Sequence, residues 1–101
     1  MLTSKQRAYL KGLAAKEDTI IHIGKGDINE NIIEQTRQAL RARELVKGKV
    51  LETSQLSARE ACDILCAECR AEGVQTIGSK FVLYKRNEKE PSIQLPKAEK
   101  K

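Results

Sequence analysis

Aromatic side chains are nearly missing from this chain of 101 residues, which has one Phe, two Tyr and no Trp. That scarcity argues against an aromatic cage for a ligand. It leaves the core to Ile, Leu, Val and Ala, within an apolar share of 40%. No apolar run approaches the roughly 18 residues that a membrane span needs. Met1 to Lys16 carries four basic residues and no unbroken apolar centre, so it does not read as a signal peptide. The expectation is a soluble, cytoplasmic chain with no membrane partner. Cysteines number three, and Cys62, Cys66 and Cys69 lie too close together on one expected helix to clip distant elements. A disulfide scaffold is therefore not expected, and a reducing compartment fits. The single histidine, His22, cannot be assembled with a nucleophile and an orienting acid from sequence. A chain this short is one domain, which excludes a multidomain enzyme.

What the chain does have is basic charge, unevenly spread. Nineteen Lys and Arg stand against 14 Asp and Glu, a net charge of +5 and a pI near 9.2, a balance that favours an acidic partner such as nucleic acid. Residues 1 to 16 hold Lys5, Arg7, Lys11 and Lys16 and no acid. Residues 35 to 50 hold Arg37, Arg41, Arg43, Lys47 and Lys49 against Glu44 alone. Residues 51 to 75 reverse the balance, so that segment is expected to face away from a polyanion. Arg37 and Arg41, four apart on a helix, repel mildly unless a phosphate sits between them, although Glu34 also screens Arg37 as on an ordinary solvated face.

Periodicity supplies the elements. Thr3 to Lys16 has Tyr9, Leu10, Leu13 and Ala14 at helical spacing behind a Thr3–Gln6 capping box. Thr19 to Ile23 is a β-branched run that ends at Gly24. A second helix is expected from about Asn29 to Arg43, with Ile32, Ile33, Thr36, Ala39 and Leu40 on its apolar face. Leu45 to Glu52 alternates, with Val46, Gly48 and Val50 facing one way and Lys47 and Lys49 the other, which predicts a basic, solvated sheet face. Ser57 and Glu60 open a third helix running to about Glu72, with Gly73 as its stop. Val74 to Ile77 and Lys80 to Arg86 flank Gly78 and Ser79 as a hairpin. From Asn87 the chain is charged and carries both prolines, a loosely held tail in which Ser92 to Leu95 could still pair. The fold class is α/β, a compact single domain in the order α-β-α-β-α-β-β with a mixed four-stranded sheet packed with helices.

Gly24-Lys25-Gly26-Asp27 falls between a strand and a helix. Such a loop offers exposed amides, a positive helix end and a mobile cation to one spot, for which a phosphate is the natural guest. Neither G-x-x-x-x-G-K-[ST] nor G-x-G-x-x-G is present, so no nucleotide fingerprint is claimed, and a plain tight turn stays open as the alternative. Asp27 with Glu30 matches an N-terminal cap for the second helix. Cys66 and Cys69 form C-x-x-C with Cys62 a turn earlier, but no second pair accompanies them and they sit toward a helix C-terminus, where the dipole opposes a thiolate. Core thiols are expected, with no metal, no cofactor and no catalytic residue. Phe81 and Tyr84 face opposite sides of the last strand, so at most one could stack on a base.

Leu10-Lys11-Gly12-Leu13-Ala14, Ile23-Gly24-Lys25-Gly26, Ala39-Leu40, Glu44-Leu45-Val46-Lys47, Ile77-Gly78 and Phe81-Val82-Leu83-Tyr84-Lys85-Arg86 together resemble the YhbY family of bacterial proteins. That family is the single-domain form of the chloroplast RNA splicing and ribosome maturation (CRM) domain. The likeness runs over about residues 2 to 96, which implies an RNA-binding domain over 1–96 and a charged tail at 97–101. It also implies a fold similar to the C-terminal domain of translation initiation factor three, and association with rRNA of large-subunit precursors. The family's G-x-x-G loop maps onto Gly24, Lys25, Gly26 and Asp27, with Asp27 where the second glycine is expected. Lys5, Arg7, Lys11 and Lys47 match positions that are commonly basic in the family. With Arg37, Arg41 and Lys49 from the charge distribution, these form the expected RNA-binding set of a monomeric, non-enzymatic protein. A protein-interaction module with an acidic partner is the alternative, and thiol redox chemistry comes third.

Overall fold

The structure, a computed structural model, describes residues 2–87 and Ile93. The residues of the expected tail, 97–101, lie outside that range, as does most of the Ser92 to Leu95 segment.

Three helices and four strands follow the expected order: α1 (Ser4–Ala14), β1 (Thr19–Ile23), α2 (Glu30–Arg43), β2 (Leu45–Val50), α3 (Ala58–Cys69), β3 (Glu72–Ile77) and β4 (Lys80–Tyr84). Thr3 and Ser57 close the two capping boxes, with Gln6 and Glu60 returning the bond to each cap amide. The four-stranded sheet has the order β1-β2-β4-β3. β1 and β2 pair parallel across α2, and β4 pairs antiparallel with both β2 and β3. The first three strands therefore point the same way, as strands joined through helices do, and the 78–79 turn returns β4 into the gap between β2 and β3. Gly78 supplies that turn with a φ of 59°.

Alternation sorts the strand side chains into two cores. Ile21, Ile23, Val46, Val50, Phe81 and Leu83 are buried against Leu40 of α2 and Ala58, Ala61, Cys62, Leu65 and Cys69 of α3. Leu45, Val74, Val82 and Tyr84 on the other face are buried against Leu10 and Ala14 of α1. Phe81 and Tyr84 do face opposite ways, and both are core residues. Gly48 faces Phe81 across the β2–β4 pair, and a Cβ there would lie 2.3 Å from the ring, so only glycine admits the one phenylalanine.

Several expectations are corrected. The face expected to be solvated is half roofed by α1, which covers the end of the sheet holding Leu45, Val82 and Tyr84. Tyr9 does not join the buried stripe of α1 and is 42% exposed. The third helix stops at Cys69 because Arg70 turns left-handed at φ 57°, and Gly73 is a β3 residue whose missing side chain lets Cys62 and Cys66 approach. β2 ends at Val50 and β4 at Tyr84, each two residues early. Leu51 leaves the β2 ladder but still donates its amide to the Ile23 carbonyl.

Candidate nucleic-acid interface

The carboxyl ends of β1, β2 and β3 lie at one edge, so the β1–α2 loop, the β2–α3 loop and the hairpin turn are neighbours. Gly24 to Asp27 closes as a turn, the Asp27 amide donating to the Gly24 carbonyl at 2.9 Å. Lys25 and Gly26, its two central residues, are exposed, and their amides meet no acceptor among the described residues. Two exposed residues with unpaired amides, and an ammonium group with no ion pair among the described residues, suit an oxyanion. Gly24 packs close to the β2–α3 loop, where a Cβ on it would lie 3.2 Å from Thr53 Oγ1.

Asp27 behaves differently from the sequence expectation. It does not cap α2, because Asn29 takes that place and accepts the Ile32 amide at 2.9 Å. The Asp27 carboxylate instead reaches across to the β2–α3 loop, accepting from Ser54 Oγ at 2.5 Å and from the Gln55 amide at 3.2 Å. Its φ of 52° is in the left-handed region, the conformation that a second glycine in the motif would take without strain. Asp27 thus fastens the two loops into one platform, a role with no signal in the sequence because Ser54 is 27 residues away.

Beside this platform, α1 leaves part of the sheet uncovered. A groove of about 410 Å³ runs there between the end of α1 and the sheet, lined by Lys11, Lys47, Lys80, Gln75 and Ile77 among others and by no carboxylate. Lys47 is half-buried, its Nζ donating to the Ala14 carbonyl at 3.3 Å. Lys49 follows on the same face, next to His22 on β1 and opposite Lys80 on β4. Lys80 and His22 are members of this surface that the sequence analysis did not select. Only the strand order, with β4 inserted beside β2, brings them to Lys49.

The expected set therefore divides. Gly24, Lys25, Gly26, Asp27, Lys11, Lys47 and Lys49 gather around the loops and the open sheet face. Lys5 is exposed on α1. Arg7 instead donates its guanidinium to the carbonyls of Gly73 and Val74, tying α1 to β3. Arg37 lies on the other side of the sheet, paired with Glu34 at 3.5 Å and donating to the Glu68 carbonyl of α3 at 3.1 Å. Arg41 is exposed near the end of α2. These contacts draw Arg37 toward α3.

The cysteines are remote from this surface. Cys62 and Cys69 are buried, Cys66 is half-buried, and Cys62 and Cys66 approach to 4.0 Å between sulfurs. That contact lowers the Cys62 pKa and pushes the Cys66 thiol up, with burial adding to the latter, while burial raises Cys69.

A small α/β module carrying an exposed Lys25–Gly26 turn and an acid-free lysine groove is a class of protein suited to a polyanion. The chain belongs to the CRS1 / YhbY (CRM) domain family, whose model matches residues 2–85. Among its relatives, "Probable RNA-binding protein YqeI" of Bacillus subtilis is 40% identical over 96 residues, covering 95% of this chain and all of the relative. A protein named "RNA-binding protein" from Haemophilus influenzae is 34% identical over 95% of this chain and 96% of its own length. The solution structure of the Staphylococcus aureus protein SAV1595 superposes with a TM-score of 0.79 at 44% identity, over 95% of this chain and all of that one. The expected family and fold class are thereby established. Among the described residues no helix is long and apolar enough to cross a membrane.

Proposed function

We propose that the chain is a monomeric, non-enzymatic, cytoplasmic RNA-binding protein that holds rRNA of large-subunit precursors through phosphates. The observation that carries this reading is the groove lined by Lys11, Lys47 and Lys80 and by no carboxylate, on a sheet whose carboxyl edge bears the exposed Lys25–Gly26 turn. The names of the relatives support RNA as the polyanion. The resemblance to ribosome-maturation domains supports rRNA as its source. Phe81 and Tyr84 are buried and only Tyr9 is exposed enough to stack on a base, so recognition rests chiefly on RNA shape and backbone.

Crosslinking the tagged chain in growing cells and sequencing the bound RNA tests it. Enrichment of large-subunit rRNA, in particles that also carry unprocessed precursor ends, is the expected result. Crosslinks scattered over messenger and transfer RNA would keep RNA binding and remove the ribosomal role.

A further inference from the structure

Register places His22 of β1, Lys49 of β2, Lys80 of β4 and Ile77 of β3 side by side in one row across the sheet. The row lies just beyond the end of α1. Residues directly opposite on antiparallel strands have Cβ atoms about 4.5–5.5 Å apart, and like charges there destabilise the sheet. Lys49 and Lys80 are such a pair, and among the described residues neither makes an ion pair that would offset the repulsion. Lys47 and Lys11 add positive charge on the same side, where the groove that holds Lys80 has no acid in its lining, and Glu52 is the one acid lining a second cavity, which Lys49 also lines. At the end of the row Ile77 is 62% exposed, an apolar plate beside a cationic pair.

A repulsive lysine pair with an apolar neighbour fits a sugar-phosphate backbone: one phosphate between the ammonium groups and the adjoining ribose against the isoleucine. We infer that Lys49 and Lys80 jointly hold one RNA phosphate, with Ile77 packing the next sugar. The RNA track thereby runs from the Lys25 turn across the open sheet face to α1. This inference rests on the RNA-binding reading and adds Lys80 and Ile77 to the site.

Sharing makes a specific signature in the salt dependence, because each phosphate neutralised contributes about 0.7–0.9 to the log–log slope of affinity against salt. The experiment titrates a fluorescein-labelled RNA hairpin by anisotropy over a salt series, with Lys49→Gln, Lys80→Gln, the double variant and Lys25→Ala. Each single glutamine variant weakens binding, and the double weakens it by less than the product of the two. The slope of the double falls by about 0.7–0.9 in all, the value of one contact. Thermal melts of the same variants rise by about 1–3 °C as the repulsion is relieved, so affinity and stability move in opposite directions. A double variant with an unchanged slope, while Lys25→Ala lowers it, overturns the inference and leaves the RNA reading intact. A slope lowered by twice the single-contact value means two separate phosphates and also overturns it. Lower melting temperatures accompanying the lost affinity would mark the pair as structural and overturn it too. If the unmodified chain does not bind the hairpin at low salt, the RNA reading falls and takes this inference with it.

Discussion

At Gly48 a single hydrogen atom decides how the core closes. The ring of Phe81 occupies the space that any side chain on Gly48 would need. Gly48→Ala is therefore expected to lower stability by about 1–3 kcal/mol, the range of overpacked cores, read as a drop in the urea midpoint with little change of slope. The sequence showed the alternation that puts Gly48 on the core face but not its partner, which depends on the β2–β4 register. Asp27 was legible as a departure from the family's loop and misread as a cap. Asp27→Asn retains an acceptor for Ser54 and tolerance of a left-handed φ while removing the charge. It is expected to tighten RNA binding about threefold at low salt, the size of one screened repulsion at several ångströms, with the gain fading as salt rises. Asp27→Gly relieves the backbone but unfastens the two loops, and it gives no such gain.

The starts of α1 and α3 and the end of α2 at Arg43 were readable, and the end of α3 was not. Thr3 and Ser57 announce themselves with Gln6 and Glu60, because a capping box is local chemistry. Arg70 and Glu44, at φ 57° and 64°, both end their helices without glycine; the apolar periodicity still marked the α2 stop, whereas nothing local marks Arg70. Glu44 holds its place by tertiary bonds, its buried carboxylate accepting the amides of Asn87 and Ile93 at 2.7 Å each. Basic residues on α1 likewise look alike in sequence and differ in the fold. Arg7 bonds to β3 carbonyls, whereas Lys5 is exposed. Arg7→Ala is expected to cost about 1–2 kcal/mol of stability, as loss of a charged, partly buried hydrogen bond does, and Lys5→Ala less than about 0.5 kcal/mol, both measured by chemical denaturation.

Over the whole molecule, the seven elements and their order could be read from periodicity, but the strand order could not. Alternation fixes which residues share a strand face and says nothing about which strand lies beside it. That is why Lys25, Lys47 and Lys49 could be selected from the sequence while Lys80 and His22 could not. The basic excess lies on the lysine-groove side: the opposite sheet face is covered by α2 and α3, whose Arg37, Arg41, Arg43 and Arg59 are balanced by Glu30, Glu34, Glu60, Asp63 and Glu68. RNA affinity should therefore respond to one side of the protein only. The most direct measurement is RNA affinity against salt for the unmodified chain, Lys25→Ala and Arg59→Ala, with melting curves for each. Affinity of the unmodified chain should fall steeply with salt. Lys25→Ala should weaken binding and reduce the slope by about 1 without moving the melting temperature, and Arg59→Ala should do neither. A flat salt dependence, or equal losses from Lys25→Ala and Arg59→Ala, would contradict the account.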